Sequence, residues 1–259
     1  MTIASLARVR VRLDAAMVKR GLVDSRTEAA SLIDEHQVTV GGVIAEKASR
    51  LVADSEPIEI LRPRRFVSRG GEKLEGGIAH FGVRVEARSV MDAGASTGGF
   101  TDCLLSLGAR RVFAVDVGRN QLHERISSDG RVVSREQTNV RDLRPEDLPF
   151  PVSLAVADLS FISLTTVLPA LSGLVGPEEG FPQAEMLLLV KPQFEVGRVE
   201  ASRGRGVITD PALHTSAVER VESEARRLGW DVGGAVESPL KGQDGNTEFL
   251  LHLSRPVRP

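Results

Sequence analysis

Between Ser89 and Gly118 the chain reads SVMDAGASTGGFTDCLLSLGARRVFAVDVG. An apolar run leads through Asp92 into a turn holding Gly94, Gly98 and Gly99. An amphipathic stretch follows, then a second apolar run that ends on Asp116. Strand, glycine turn, helix, strand and acid in that order form a βαβ unit that cradles a nucleotide-like molecule. Such a crossover requires a parallel sheet covered by helices. Further along, RVVSRE, VSLAVADLSF and EMLLLVKP are short, apolar and rich in β-branched residues, and helical stretches begin near Thr97, Thr165 and Pro211. WDVGGAVESPL and TEFLLHLS read as a closing hairpin. The expected class is α/β, with a Rossmann-like, mostly parallel seven-stranded sheet and helices on both faces.

Three ligands compete for the glycine turn. A phosphate-gripping loop would end in Gly-Lys-Ser/Thr, which is missing here. A dinucleotide fold wants G-x-G-x-x-G, and Ser96 stands where the middle glycine belongs. S-adenosylmethionine carries no phosphates. Its amino-acid end needs backbone groups and a carboxylate, which Asp92 offers, and its ribose diol needs an acceptor, which Asp116 offers 22 residues after Gly94. The remaining alternative is an ordinary strand-to-helix turn. On the cofactor reading, contacts fall on Asp92, Gly94, Ser96, Thr97, Gly98 and Phe100, on Asp116 and Val117, and on Asn139 and Val140.

The first 60 residues have another character. RLDAAMVKRGL and DSRTEAASLIDEH read as two amphipathic helices, the second capped by Ser25 with Glu28 three residues on. VTVGGVIAEKASRLV reads as a hairpin turning at Gly41-Gly42, and EPIEIL adds a strand. The whole chain of 259 residues carries a net charge of -2, yet Met1 to Lys73 holds 13 basic residues against 10 acids. Arg8, Arg10, Arg12, Lys19, Arg20, Arg26, Lys47, Arg50 and Arg65 are candidates for RNA phosphates, although charge alone does not separate them from a solvated helix face. RPRRFVSRGGEKL then reads as a basic linker, with Phe66 as an anchor and a helix opening at Lys73. The expected division is 1–61, a linker over 62–72, and 73–259.

A single cysteine, no 18-residue apolar run and no signal-like N-terminus point to a soluble cytoplasmic protein without disulfides, a metal site or a membrane span. A monomer in solution is expected. At the strand ends, Asp158 closes the fourth strand and Lys191 follows four apolar residues in the fifth. Glu248 begins the last strand and the linker helix offers Lys73. Asp158 also suits a helix cap, and Lys191 a snorkelling side chain. No Asn/Asp-Pro-Pro-aromatic run of the amine methylases is present.

RLDAAMVKRGLVDSRTEAASLIDEHQVTVGGVIAEKASRLVADSEPIEI resembles the small S4-like RNA-binding domain. The linker RRFVSRGGEKL, the turn DAGASTGGFTD, and VADLSFISL, LLVKPQFEVGR and GNTEFLLHL resemble the TlyA family, historically called hemolysins. The resemblance implies an FtsJ-like, S-adenosylmethionine-dependent methyltransferase acting on cytidine 2′-hydroxyls of ribosomal RNA or ribosomal subunits. It puts Lys73, Asp158, Lys191 and Glu248 on the family's catalytic tetrad. The family's linker usually carries Trp where this chain has Phe66. Two rival readings are an RNA-binding protein with an inactive methyltransferase domain and a membrane-lytic protein. The second needs a long apolar or amphipathic exposed segment, which the sequence lacks.

Overall fold

The computed structural model describes residues 10–23, 25–61, 65–197, 206–242 and 244–256. The chain divides into two compact units, Met1–Arg64 and Arg65–Pro259.

In the first unit, β1 (Arg10–Arg12) leads into α1 (Leu13–Lys19) and α2 (Arg26–Asp34). Ser25 caps α2, its side chain accepting from the Glu28 N–H, and Ala29, Leu32 and Ile33 form the buried stripe. β2 (Val38–Val40), β3 (Val43–Ile44) and β5 (Ile58–Ile60) make a three-stranded sheet in the order β3-β2-β5. The two-residue turn uses Gly41 and Gly42, both at positive φ, where a side chain would be strained. The hairpin is shorter than the sequence suggests. β4 (Leu51–Ala53) leaves it to pair with β1. The intervening AEKASR has no alternating pattern, and it folds back so that Ala48 and Arg50 carbonyls accept from the first N–H groups of α1.

In the second unit, β6 (Ser89–Ala93), β7 (Arg111–Val115), β8 (Val132–Arg135), β9 (Leu154–Ala157), β10 (Gln183–Val190), β11 (Asp231–Glu237) and β12 (Phe249–Pro256) form one sheet in the order β11-β12-β10-β9-β6-β7-β8. The first five strands are parallel; β12 runs antiparallel to both β10 and β11. Alternation along β6, β9 and β10 sends side chains to two separate apolar clusters. Met91, Ala155 and Leu188 meet α6 (Leu164–Leu174) and α8 (Pro211–Arg227) on one face. Val90, Leu154 and Leu187 meet α3 (Gly70–Phe81), α4 (Gly99–Ser106) and α5 (Glu124–Ser127) on the other. A strand buried on both faces has to be apolar throughout, so these runs were readable in the sequence.

The helix that carries Lys73 begins at Gly70, three residues earlier than its sequence suggests. Glycine allows this: a Cβ on Gly71 would stand 2.3 Å from the Phe66 ring. Residues 70–72 are therefore helix rather than linker. Phe66 is 3% exposed and packs with Leu74 and Phe100 in the core of the second unit.

Candidate functional site

Register brings the chemistry to one edge. Ala93 lies level with Val115 and with Ala157, so Gly94, Asp116 and Asp158 leave three neighbouring strands at one height. β10 runs further and ends at Val190, which delivers Lys191 just beyond. Val190 pairs with Phe249, so antiparallel β12 starts at the same edge and delivers Glu248. This is the carboxyl edge of the parallel strands, where ligands of such sheets bind.

Two ion pairs stand there. Lys73 reaches from α3, its Nζ 2.5 Å from Glu248 Oε2, with side chains 8% and 3% exposed. Lys191 Nζ lies 2.6 Å from Asp158 Oδ1, in a pair that is 11% and 24% exposed. That contact is Coulombic rather than a directed hydrogen bond. Asp158 Oδ1 is left without a donor, and Lys191 Nζ donates instead to Ser160 Oγ at 3.0 Å.

The glycine turn sits against this edge. Gly94 has φ 85°, and a Cβ there would lie 2.5 Å from the Asp158 carbonyl oxygen, so only glycine lets the two strand ends meet. Ser96, exposed and at φ 46°, donates its N–H to Asp116 Oδ2 at 2.8 Å, and Gly118 donates to Asp116 Oδ1 at 2.7 Å. Asp116 thus ties the turn to the loop after β7, where Val117 is 70% exposed. Asp92 is fully buried. Its Oδ2 accepts from Thr101 Oγ1 at 2.6 Å, and its Oδ1 has no partner. Burial pushes its pKa up to about 7, with the Thr101 bond opposing and the charges of Asp158 and Asp116 adding.

Other residues of the expected cofactor set serve local structure. Gly98 packs under Leu122 and Ile126, and the Thr97 carbonyl accepts from the His123 N–H. Asn139 Oδ1 accepts from the Arg141 N–H and caps the short 3-10 turn Val140–Asp142, while Val140 is buried. Phe100 is 3% exposed, because the period of α4 turns it inward with Cys103 and Leu104. Its side chain serves the core.

In the first unit, Arg12 and Arg26 both bond the buried carboxylate of Asp14, whose pKa falls to about 2, mainly through Arg12. Arg10 pairs with Glu56 and Lys19 with Asp54. Arg20 donates to the carbonyls of Ala53, Asp54 and Glu56, which spends most of its guanidinium on the fold. Lys47 is exposed and Arg50 half-buried. Arg65 pairs with Glu75 and lies over the Phe66 ring. Arg8 lies outside the described residues.

Four residues at the edge were not singled out in the sequence. Phe161 is 93% exposed with φ 64°, and its ring centroid lies 5.4 Å from that of Phe194 on α7 (Pro192–Glu195). Ser160 and Glu195 bind from the same two loops. The one sequence signal was an aromatic in the LSF that follows Asp158.

The FtsJ-like methyltransferase family matches residues 66–255, and the S4 domain matches 11–58. The chain is 46% identical to the 16S/23S rRNA (cytidine-2′-O)-methyltransferase TlyA of Mycobacterium tuberculosis, over 94% of this chain and 90% of that one. It is 38% identical to Hemolysin A of Brachyspira hyodysenteriae, over 94% and 99%. A solved structure of a Streptococcus thermophilus protein assigned as a hemolysin is 38% identical, with a TM-score of 0.75, covering 98% of this chain and 91% of that one. Among the described residues no helix is long and apolar enough to cross a membrane.

Proposed function

The chain belongs to the TlyA family of FtsJ-like methyltransferases that carry an S4 domain, and from that premise we propose that it methylates the 2′-hydroxyl of a cytidine in ribosomal RNA. The observation that carries this reading is the meeting of Asp158, Lys191 and Glu248 on the strand edge that bears the glycine turn.

The residues fit S-adenosylmethionine. Asp92 holds an unpartnered oxygen behind the turn, the exposed tip at Ser96 is held open by its bond to Asp116, and Asp116 and Val117 offer an acceptor and an apolar surface for a nucleoside. When bound, this cofactor supplies an electrophilic methyl group. A ribose hydroxyl is a poor nucleophile, so the chain must orient it and accept its proton as the bond forms. Lys191 Nζ is the group at the edge that can hold the hydroxyl oxygen. Asp158 keeps Nζ in place, and the proton leaves toward that pair. Lys73 and Glu248, sealed from water, brace the same edge. The exposed Phe161 ring suits stacking on a nucleobase turned out of its helix, an interaction worth about 1–3 kcal/mol. Arg12 and Arg26, fixed by Asp14, suit phosphates of folded RNA. The cytoplasm, where ribosomes assemble, is the compartment this reading requires.

The test is methyl transfer from labelled cofactor to purified small and large ribosomal subunits that lack the modification, followed by nucleoside mapping. The expected product is 2′-O-methylcytidine. No incorporation, or a methyl group on the base, would overturn the reading.

A further inference from the structure

Glu195 ends α7, four residues after Lys191, and is 3% exposed. Its carboxylate turns to the start of α6. Oε1 accepts from the Leu164 N–H at 2.7 Å, and Oε2 accepts from Ser163 Oγ at 2.5 Å. Ser163 ends the loop that carries Asp158, Ser160 and Phe161. One carboxylate therefore joins the loop after β9 to the loop after β10. Arg220 of α8 holds the same turn from behind, donating to the Glu195 carbonyl at 3.1 Å. Capping α6 does not by itself call for this glutamate, because Ser163 Oγ already accepts from the Thr165 N–H. Burial raises the Glu195 pKa, with the Ser163 and Leu164 bonds opposing, so the site bears a desolvation cost that a surface cap would avoid. The loops it joins are the ones that carry the Lys191–Asp158 pair and the Phe161–Phe194 rings.

Resting on the methyltransferase reading, we propose that Glu195 is a positioning residue that sets Lys191 and Phe194 against Asp158 and Phe161 for the transfer step. It touches no reacting atom, so its loss should act chiefly on turnover and spare cofactor binding. In Glu195→Ala, kcat should fall about a hundredfold, since a shift near 1 Å at the reacting groups costs that much. Cofactor affinity by calorimetry should stay within about threefold of the wild type, while any rise in KM for ribosomal subunits, through the Phe161 ring, should be smaller than the fall in kcat. Glu195→Gln should restore most of the rate, its amide oxygen accepting from Leu164 and its NH2 donating to Ser163 Oγ. Ser163→Ala, which removes one of the two bonds from the other side, should lose about tenfold in kcat and serves as the readout if Glu195→Ala does not fold. The proposal is overturned if both Glu195→Ala and Ser163→Ala keep wild-type kcat. It is equally overturned if cofactor affinity falls in step with kcat, or if Glu195→Gln is as slow as the alanine variant; either result marks a residue of fold stability only. A wild-type protein that methylates no subunit defeats the methyltransferase reading instead, so the two failures are distinct.

Discussion

Asp92 gives the most quantitative test of the cofactor cradle. Its carboxyl is fully buried, and its pKa rises from the usual 3.8 to about 7 in the folded chain. The sign follows from proton binding. Between those values the folded state holds a proton that the unfolded chain has released. The stability contributed by the protonated form is therefore complete below about pH 4 and is lost as pH rises to about 7. From about pH 5 to pH 7, where the folded carboxyl is half ionised, the loss is on the order of 2 kcal/mol, at about 1.4 kcal/mol per pH unit while the proton stays bound. Asp92→Asn cannot titrate, while its amide oxygen can still accept from Thr101. Its NH2 sits where Oδ1 had no partner, which adds a constant cost of about 1–3 kcal/mol. The informative quantity is thus the change in the gap between the two proteins across pH, because every other titrating group is common to both. The single tryptophan, Trp230, is 2% exposed and donates to Ser172 within the same unit, so its fluorescence reports unfolding of the catalytic part. Urea titrations at about pH 5, 6, 7 and 8.5 should show the variant gaining on the order of 2 kcal/mol on the wild type between the first and third, and only about a further half kcal/mol by the last. Parallel curves, with a gap constant across the range, would refute the assignment of a raised, unpaired carboxyl to Asp92.

Asp116→Ala should weaken S-adenosylmethionine binding about ten- to a hundredfold, through loss of charge-assisted acceptors worth about 1.5–3 kcal/mol; calorimetry checks this, and unchanged affinity in a folded variant defeats the role. Lys191→Ala should abolish methyl transfer and leave cofactor affinity nearly intact, read by turnover and calorimetry on one preparation. Lys73→Ala should instead unfold readily, losing about 3–5 kcal/mol because the buried Glu248 carboxylate is left unpaired. A chain starting at Arg65 should fold, bind cofactor and fail to methylate ribosomal subunits, since the basic residues aimed at phosphate stay behind; full activity in that chain would remove the S4 domain from substrate docking.

The sheet was legible because each of its seven strands announces itself by composition and its inner strands are buried on both faces. The strand-end residues were legible for a related reason: Asp116, Asp158 and Lys191 are charges placed directly after apolar runs. Where reading by pattern failed, the cause was a contact distant in sequence. The start of α3 depends on Phe66 lying over Gly71, and the short hairpin depends on β1 claiming Leu51–Ala53. Likewise nothing local reveals that the Arg20 guanidinium faces three carbonyls more than 30 residues away. Glu195 was invisible for the same reason, since its partners lie 31 and 32 residues upstream.

The four charged residues at the edge are not equivalent. Lys73 and Glu248 face each other almost without water, so their attraction is strong, and neither can be withdrawn without leaving a bare buried charge. Such a pair suits a fixed wall. Lys191 and Asp158 are wetter, poorly aligned as a hydrogen bond, and shared with Ser160. A lysine held by charge rather than by direction can turn its N–H bonds toward an incoming oxygen without first breaking a well-formed bond. The less perfect pair is therefore the one able to meet a substrate hydroxyl. On the proposed reading the glycine turn fixes where it must act, because Gly94 rests on the Asp158 carbonyl, and the proposed cradle and the proposed reacting pair share one backbone contact.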